Sequence, residues 1–319
     1  MNKRNVELDI LKGCGILLMI IGHCNFPYYL LRVIFTFHMP LFFLISGFLY
    51  KEKPLVKRIK SNMKKIILPY IFTCFVVWLY FIIYENDYMW GLSIFTANGS
   101  LPVFNYNNLK VGPLWFLVCY FVAAIYFHYL LKIRKEWYRI VLLMALFAMA
   151  MIYKHYFNLL PLDILNAVPA TIFLYLGYEL RNKSFLRLCF NNKTCLVIGL
   201  CVGIICCLKG DLSMASLNYK LWYLQFFGAL YCCFILHRLL IFLKGGRILS
   251  FIGRNSLALL CIHSVDWLMG ITDNLAKGIV DNYSLYPFVQ LLLKLLFVAV
   301  VYLLISHITF LKSIYSISK

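Results

Sequence analysis

Apolar residues run along this chain in stretches of about 20, parted by short polar breaks, from Asp9 nearly to the last residues. That is the length an α-helix needs to cross the hydrocarbon core of a bilayer. Reading the runs between breaks predicts ten spans, at residues 9–26, 29–50, 66–84, 112–131, 138–153, 162–180, 194–208, 218–242, 248–271 and 286–311. The expected fold class is therefore all-α, a polytopic membrane protein of about ten transmembrane helices. The spans follow one another from end to end, so a single integral membrane domain is expected over residues 1–319.

Composition excludes a soluble domain. Hydrophobic residues make up 63% of the chain and charged residues only 13%, with a mean hydropathy of +0.82. Soluble domains usually carry about a quarter charged residues. The first apolar run lacks a small-residue cleavage site after it, so no cleavable signal peptide is expected. Most of the twelve cysteines lie inside apolar runs, where Cys acts as a small hydrophobe. Cys206-Cys207 and Cys232-Cys233 are adjacent pairs rather than metal-ligand spacings, so neither a disulfide framework nor a metal site is expected.

A net charge of +19 would suit nucleic acid, but its distribution points elsewhere. Of 31 Lys and Arg, 23 lie in the tail before the first span, in every second loop and at the end of the chain, notably at Lys51–Lys65, Lys132–Arg139, Arg181–Lys193, Arg238–Arg254, Lys312 and Lys319. The alternate loops hold five, and Lys12, Arg32 and Lys294 fall within spans. This alternation is the positive-inside pattern and predicts both termini in the cytoplasm. The basic loops then face membrane lipids and cytosolic anions, and nucleic acid is not an expected partner. The longest outer segment, about residues 85–111, holds Asn98-Gly99-Ser100 and Asn105 to Asn108, and reads equally as a substrate-facing loop or a plain connector.

Ionisable side chains inside a span cost several kcal/mol and are functional candidates by default. Asp9, Lys12 and His23, at spacings of 3 and 11, share one face of the first span, beside Gly13, Gly15 and Gly22. In the second span His38 precedes Pro40, where a lost backbone donor is expected to kink or break the helix. The ninth span holds Gly253-Arg254-Asn255-Ser256-Leu257 and then His263. His23, His38 and His263 lie 14, 12 and 13 residues from the expected cytoplasmic edge. At 1.5 Å per residue each is about 18–21 Å deep. Three costly groups at one depth predict a common site if their helices are neighbours. His128, His155, His237 and His307 read as interfacial.

These residues resemble a known family. Leu8-Asp9-Ile10-Leu11-Lys12-Gly13 through Gly22-His23, then His38-Met39-Pro40-Leu41-Phe42-Phe43 to Ser46-Gly47, is similar to the acyltransferase family 3 membrane proteins. Pro69-Tyr70, Gly112-Pro113-Leu114-Trp115-Phe116-Leu117, and Gly253 to Leu257 with His263 resemble its later motifs, in order over residues 8–263. Lys12 stands ten intervening residues before His23, where one large branch has Arg. The likeness is to the small branch that includes sugar O-acetylases.

The resemblance implies transfer of an acyl group, commonly acetyl, from cytosolic acyl-CoA to a sugar hydroxyl. The acceptor would be a cell-surface or exported glycan or a lipid-linked sugar, and the setting a bacterial inner membrane. Acetyl-CoA or another short acyl-CoA is the expected donor, and no metal is expected. Catalysis falls to His23, as general base or acyl carrier, with His38 or His263 orienting it or shuttling the proton. Lys12, with the basic loop carrying Lys64 and Lys65, would hold CoA phosphates as point charges beside Asp9. Asn255 and Ser256 would touch the donor or only cap their helix. Trp115 would stack on a sugar or anchor at the interface. The rival reading is a transporter or flippase for a lipid-linked sugar, which explains ten spans equally well but needs no acyl-CoA.

Overall fold

The computed structural model describes residues 5–99, 109–157, 160–183, 192–242, 246–280 and 282–317. Residues 100–108 of the outer segment, including Asn105 to Asn108, lie outside them, as do Lys3, Arg4, Arg187, Lys244 and Lys319 of the basic segments.

The described chain is nearly all helix, as the apolar runs predict. The principal helices are α1 (Val6–Gly22), α2 (Tyr28–Phe48), α3 (Leu55–Glu85), α4 (Trp115–Lys132), α5 (Glu136–Tyr156) and α6 (Ala167–Asn182). They continue as α7 (Lys193–Lys209), α8 (Trp222–Phe242), α9 (Arg247–Arg254), α10 (Ser256–Met269), α11 (Ile271–Ile279), α12 (Tyr286–His307) and α13 (Thr309–Ile314). Among the described residues six helices are long and apolar enough to cross a membrane, or seven if α9 and α10 form one broken span. The other three predicted spans correspond to α1, α6 and α7, of 17, 16 and 17 residues. At 1.5 Å per residue these reach about 24–26 Å, just under the hydrocarbon thickness.

Three expectations need correction. The basic stretch is not a loop as far as residue 65: helix begins at Leu55 and continues through π turns at Met63–Ile67 and Phe81–Glu85. Lys57, Lys60 and Lys64 recur at helical spacing, so one exposed face accommodates them without ending the helix. Helix α2 runs unbroken through Pro40. A proline removes only one backbone donor, and Phe37, Met39, Leu41, Phe42 and Phe43 are buried around it. The ninth span is two helices that meet at 74°. Asn255 closes α9 and starts α10, and its side-chain Nδ2 donates to the Phe251 carbonyl at 3.1 Å, satisfying a helix-end acceptor where the chain turns.

The chain divides into two compact units, and the division falls within α2 after Phe42. The first contains residues 1–42, 184–212 and 219–319. Its tightest packing is α1 against α9. Gly13 lies on the Leu249 carbonyl and Gly253 on the Asp9 carbonyl, so the two backbones meet with no side chain between them. We expect Gly253→Ala to destabilise the protein by about 1–3 kcal/mol, because its methyl would overlap a backbone oxygen that cannot rotate away. A lowered unfolding temperature in detergent measures this; an unchanged one would show that α1 and α9 are not in this contact.

Helix α12 shows how polarity is sorted in the same unit. Phe288, Leu292, Leu296, Val300 and Leu304 are exposed, an apolar stripe at four-residue spacing suited to lipid. Gln290, Lys294, Val298 and Tyr302, at the same spacing on another face, are buried. In a bilayer the polar stripe must turn inward, where it finds partners.

The second unit contains residues 43–183 and 213–218. Here Gly47 lies on the Leu174 carbonyl and Gly177 on the Leu44 carbonyl, a second reciprocal glycine crossing between the end of α2 and α6. It accounts for the glycine of the Ser46-Gly47 motif: only a missing Cβ allows that approach.

Candidate active site

The site is built from the first unit. Helix α1 starts cleanly because Asn5 caps it, accepting from the Leu8 N–H at 3.3 Å. It ends at His23, whose backbone leaves helical geometry. The ring of His23 turns back along the helix and its Nδ1 lies 2.9 Å from the Met19 carbonyl. A carbonyl can only accept, so Nδ1 carries the proton and Nε2 keeps its lone pair in the neutral ring. That leaves a base of fixed orientation.

His263 lies within α10 and is fully buried. Its Nε2 is 3.3 Å from Nδ1 of His23, and the ring centroids are 5.2 Å apart. With the His23 proton on Nδ1, His263 meets it with a lone pair and carries its own proton on Nδ1. That nitrogen is buried and has no hydrogen-bond partner among the described residues. Trp267, one turn on, presents its ring edge-on to His23 at 5.9 Å. The expected meeting of His23 and His263 therefore has direct geometry. His38 is buried on α2, with Nδ1 at 2.9 Å from the Ile34 carbonyl and Phe35 packed at 5.3 Å; it hydrogen-bonds neither of the other two rings.

Beside this pair lies a polar network that the sequence reading did not single out. Lys294 of α12 is fully buried, with Nζ at 3.2 Å from Asp266 Oδ2, 2.7 Å from Asp273 Oδ1 and 3.3 Å from Thr272 Oγ1. Asp266 accepts from the Thr272 N–H at 2.9 Å and its hydroxyl at 2.7 Å. Gln290 donates to Asp273 at 2.8 Å and accepts from the Asn25 N–H at 2.7 Å. The network thus grips the chain two residues after His23 at one end. At the other it holds Asp266, three residues after His263 on the same helix. Two carboxylates against one ammonium leave it formally anionic. A signal was present: Asp266 and Lys294 are ionisable residues inside apolar runs. Their pairing across about 28 residues carries no local pattern.

The comparisons with known proteins add to this geometry. The acyltransferase family 3 model, described as an acyltransferase domain, matches residues 5–312. The chain belongs to that family. Nodulation protein NolL of Mesorhizobium japonicum is 26% identical to it over 141 residues, which cover 39% of this chain and 35% of NolL. The chain thus matches only about a third of that relative's length. No solved structure matches. As a member of the acyltransferase family with several helices long and apolar enough to cross a membrane, the chain is a multi-pass membrane protein.

The remaining candidates fall as follows. Asp9 is buried and Lys12 half-buried on α1, at the end packed against α9. Asn255, buried, and Ser256, half-buried, occupy the bend between α9 and α10. Lys64 and Lys65 belong to the second unit, exposed on the first π turn of α3. Trp115, also in the second unit, opens α4 and is 5% exposed, with the Gly99 backbone lying on its indole. Among the described residues no group of three or more His, Cys, Asp or Glu could hold a metal ion.

Proposed function

We propose that the protein moves an acyl group, acetyl in the first instance, from cytosolic acyl-CoA to a sugar hydroxyl of a cell-surface or exported glycan, from a bacterial inner membrane with both termini cytoplasmic. The single observation that carries this reading is the His23–His263 pair, in which His23 Nδ1 is committed to the Met19 carbonyl and Nε2 is left as the basic nitrogen.

In this mechanism His23 Nε2 removes the proton of the acceptor hydroxyl as its oxygen attacks the thioester carbonyl; the C–S bond breaks and the CoA thiolate leaves, taking up that proton from the imidazolium. Alternatively Nε2 attacks the carbonyl itself, expels the CoA thiolate, and the acyl group then passes to the acceptor oxygen, whose proton goes to the thiolate. The imidazolium formed in the first route is stabilised by the Met19 carbonyl, the His263 lone pair and the anionic network around Lys294. His38 supports the packing near the pair or passes a proton. Lys12 supplies a point charge for CoA phosphates, and Asp9, Asn255 and Ser256 lie at the α1–α9–α10 junction that would receive the donor.

The native chain in nanodiscs, given radiolabelled acetyl-CoA and membrane glycan, should transfer label to the glycan. Should acetyl-CoA be neither bound nor consumed, succinyl-CoA is the next donor. A blank with both would abandon this reading for the lipid-linked sugar transporter.

A further inference from the structure

The second unit contains polar atoms for which the mechanism above has no use. Ser93 ends up buried in the one-turn helix Ser93–Thr96, and its Oγ has no partner among the described residues. Asn98 follows, fully buried, with side-chain Oδ1 and Nδ2 both unpartnered among the described residues. Asp163 is 1% exposed; its Oδ1 accepts from Asn166 Nδ2 at 2.8 Å, while Oδ2 has no partner among the described residues. Asn166, equally buried, also donates to the Ala215 carbonyl at 3.2 Å and leaves its Oδ1 unpartnered among the described residues.

These residues are close together. The helix Ser93–Thr96 packs against the turn Pro161–Asp163, and that turn packs against α4, which Trp115 opens. Gly99, next to Asn98, lies on the Trp115 indole, and the Asn98 carbonyl accepts from the Val111 N–H at 2.9 Å, which holds this segment at the start of α4. The backbone is also held in a costly form here. Leu162 and Asp163 are both left-handed, at φ 60° and 51°. Side-chain-bearing residues in such conformations cost about 1–3 kcal/mol each and concentrate at ligand sites.

Five unpartnered polar atoms in one buried place would each cost about 1–3 kcal/mol if nothing met them. Two of them only accept, one only donates, one is a hydroxyl, and Asp163 Oδ2 accepts when ionised and donates when protonated. A ligand that fills the place must therefore bring several donors, each on a group that also accepts, and no cationic charge is required by the single carboxylate. Clustered hydroxyls have that chemistry, and an adjacent indole suits the C–H face of a ring. A hard cation would meet only one carboxylate, few for such an ion.

We infer that Ser93, Asn98, Asp163 and Asn166, beside Trp115, form a binding site for a neutral, hydroxyl-rich ring, a sugar. The site belongs to segments that carry few basic residues, on the side opposite the cytoplasmic loops in the charge-bias reading. As the place where the acceptor is held, it rests on the acyltransferase reading; as a sugar site it stands by itself.

The test is a titration of the full chain in nanodiscs with three probes, the methyl glycosides of glucose, fucose and N-acetylglucosamine, followed by saturation-transfer NMR. Acetyl-CoA binding is measured on the same samples. At least one glycoside should bind saturably, and Asn98→Ala and Asn166→Ala should weaken it at least tenfold with acetyl-CoA binding unchanged. Where the asparagine variants do not fold, Ser93→Ala, which removes one hydroxyl and strands nothing, should weaken it severalfold. Absence of saturable binding by all three glycosides, equal binding by the folded variants, or saturation by Ca²⁺ alone would each overturn the site. Glycoside binding by a chain that neither binds nor consumes acetyl-CoA would instead remove the acyltransferase reading and leave the site standing.

Discussion

Replacing His23 by alanine should lower acyl transfer by about 10²- to 10⁴-fold, the range general-base or nucleophilic histidines contribute, while the protein stays folded. The ring is half-buried and sits at the end of α1, so its loss opens little core. What disappears is the lone pair on Nε2, held in place through Nδ1 by the Met19 carbonyl. His263 does not substitute for it, because its ring is fully buried within α10. Acetyl-CoA binding should survive, since the groups proposed to hold CoA phosphates lie elsewhere. Transfer assayed together with donor binding separates the two outcomes; a variant with native turnover would remove His23 from the chemistry.

The second large effect is on stability. Lys294→Met should destabilise the protein by about 3–5 kcal/mol, the usual result of breaking a buried ion pair from one side. The lysine is fully buried and its ammonium is the partner of both Asp266 and Asp273. Methionine fills much the same volume, so the loss is electrostatic rather than a cavity. Adding Asp266→Asn and Asp273→Asn should recover much of the lost stability, because the stranded carboxylates go too. Thermal unfolding in detergent reads both steps. Equal unfolding temperatures for the native chain and Lys294→Met would mean that the network carries no such energy.

How much of this was legible in the sequence differs from part to part. The helical, membrane-spanning class follows directly from the apolar runs, because a bilayer demands long apolar stretches and tolerates little else. The family motifs were legible too, and the match over residues 5–312 bears out the resemblance. The bend at Asn255 was not, since the apolar run continues across it and only the cap chemistry of one asparagine marks the turn. Pro40 misled in the opposite direction: its local effect is real, but packing on every side keeps α2 continuous.

The candidate site shows the same limit. Counting residues from the expected membrane edge put His23 and His263 at one depth, and they are in fact 3.3 Å apart. Depth says nothing about azimuth, which is why His38, at a similar depth, makes no hydrogen bond to either. Lys294 was visible as a charge within a span, but its partners belong to α10 and α11, and a pairing between helices leaves no periodic trace. Asn98 stood out only within the outer segment, and Asp163 and Asn166 only as polar residues at the start of the sixth predicted span; burial with polar atoms that meet no partner among the described residues is what distinguishes them.

The central claim is that His23 supplies the nitrogen at which acyl transfer turns. Its most direct test is acetyl transfer by His23→Ala in nanodiscs with and without added imidazole. The account predicts negligible transfer without imidazole and a partial, saturable recovery with it, because the small molecule replaces the missing ring. Native-level transfer by His23→Ala in the absence of imidazole would contradict it.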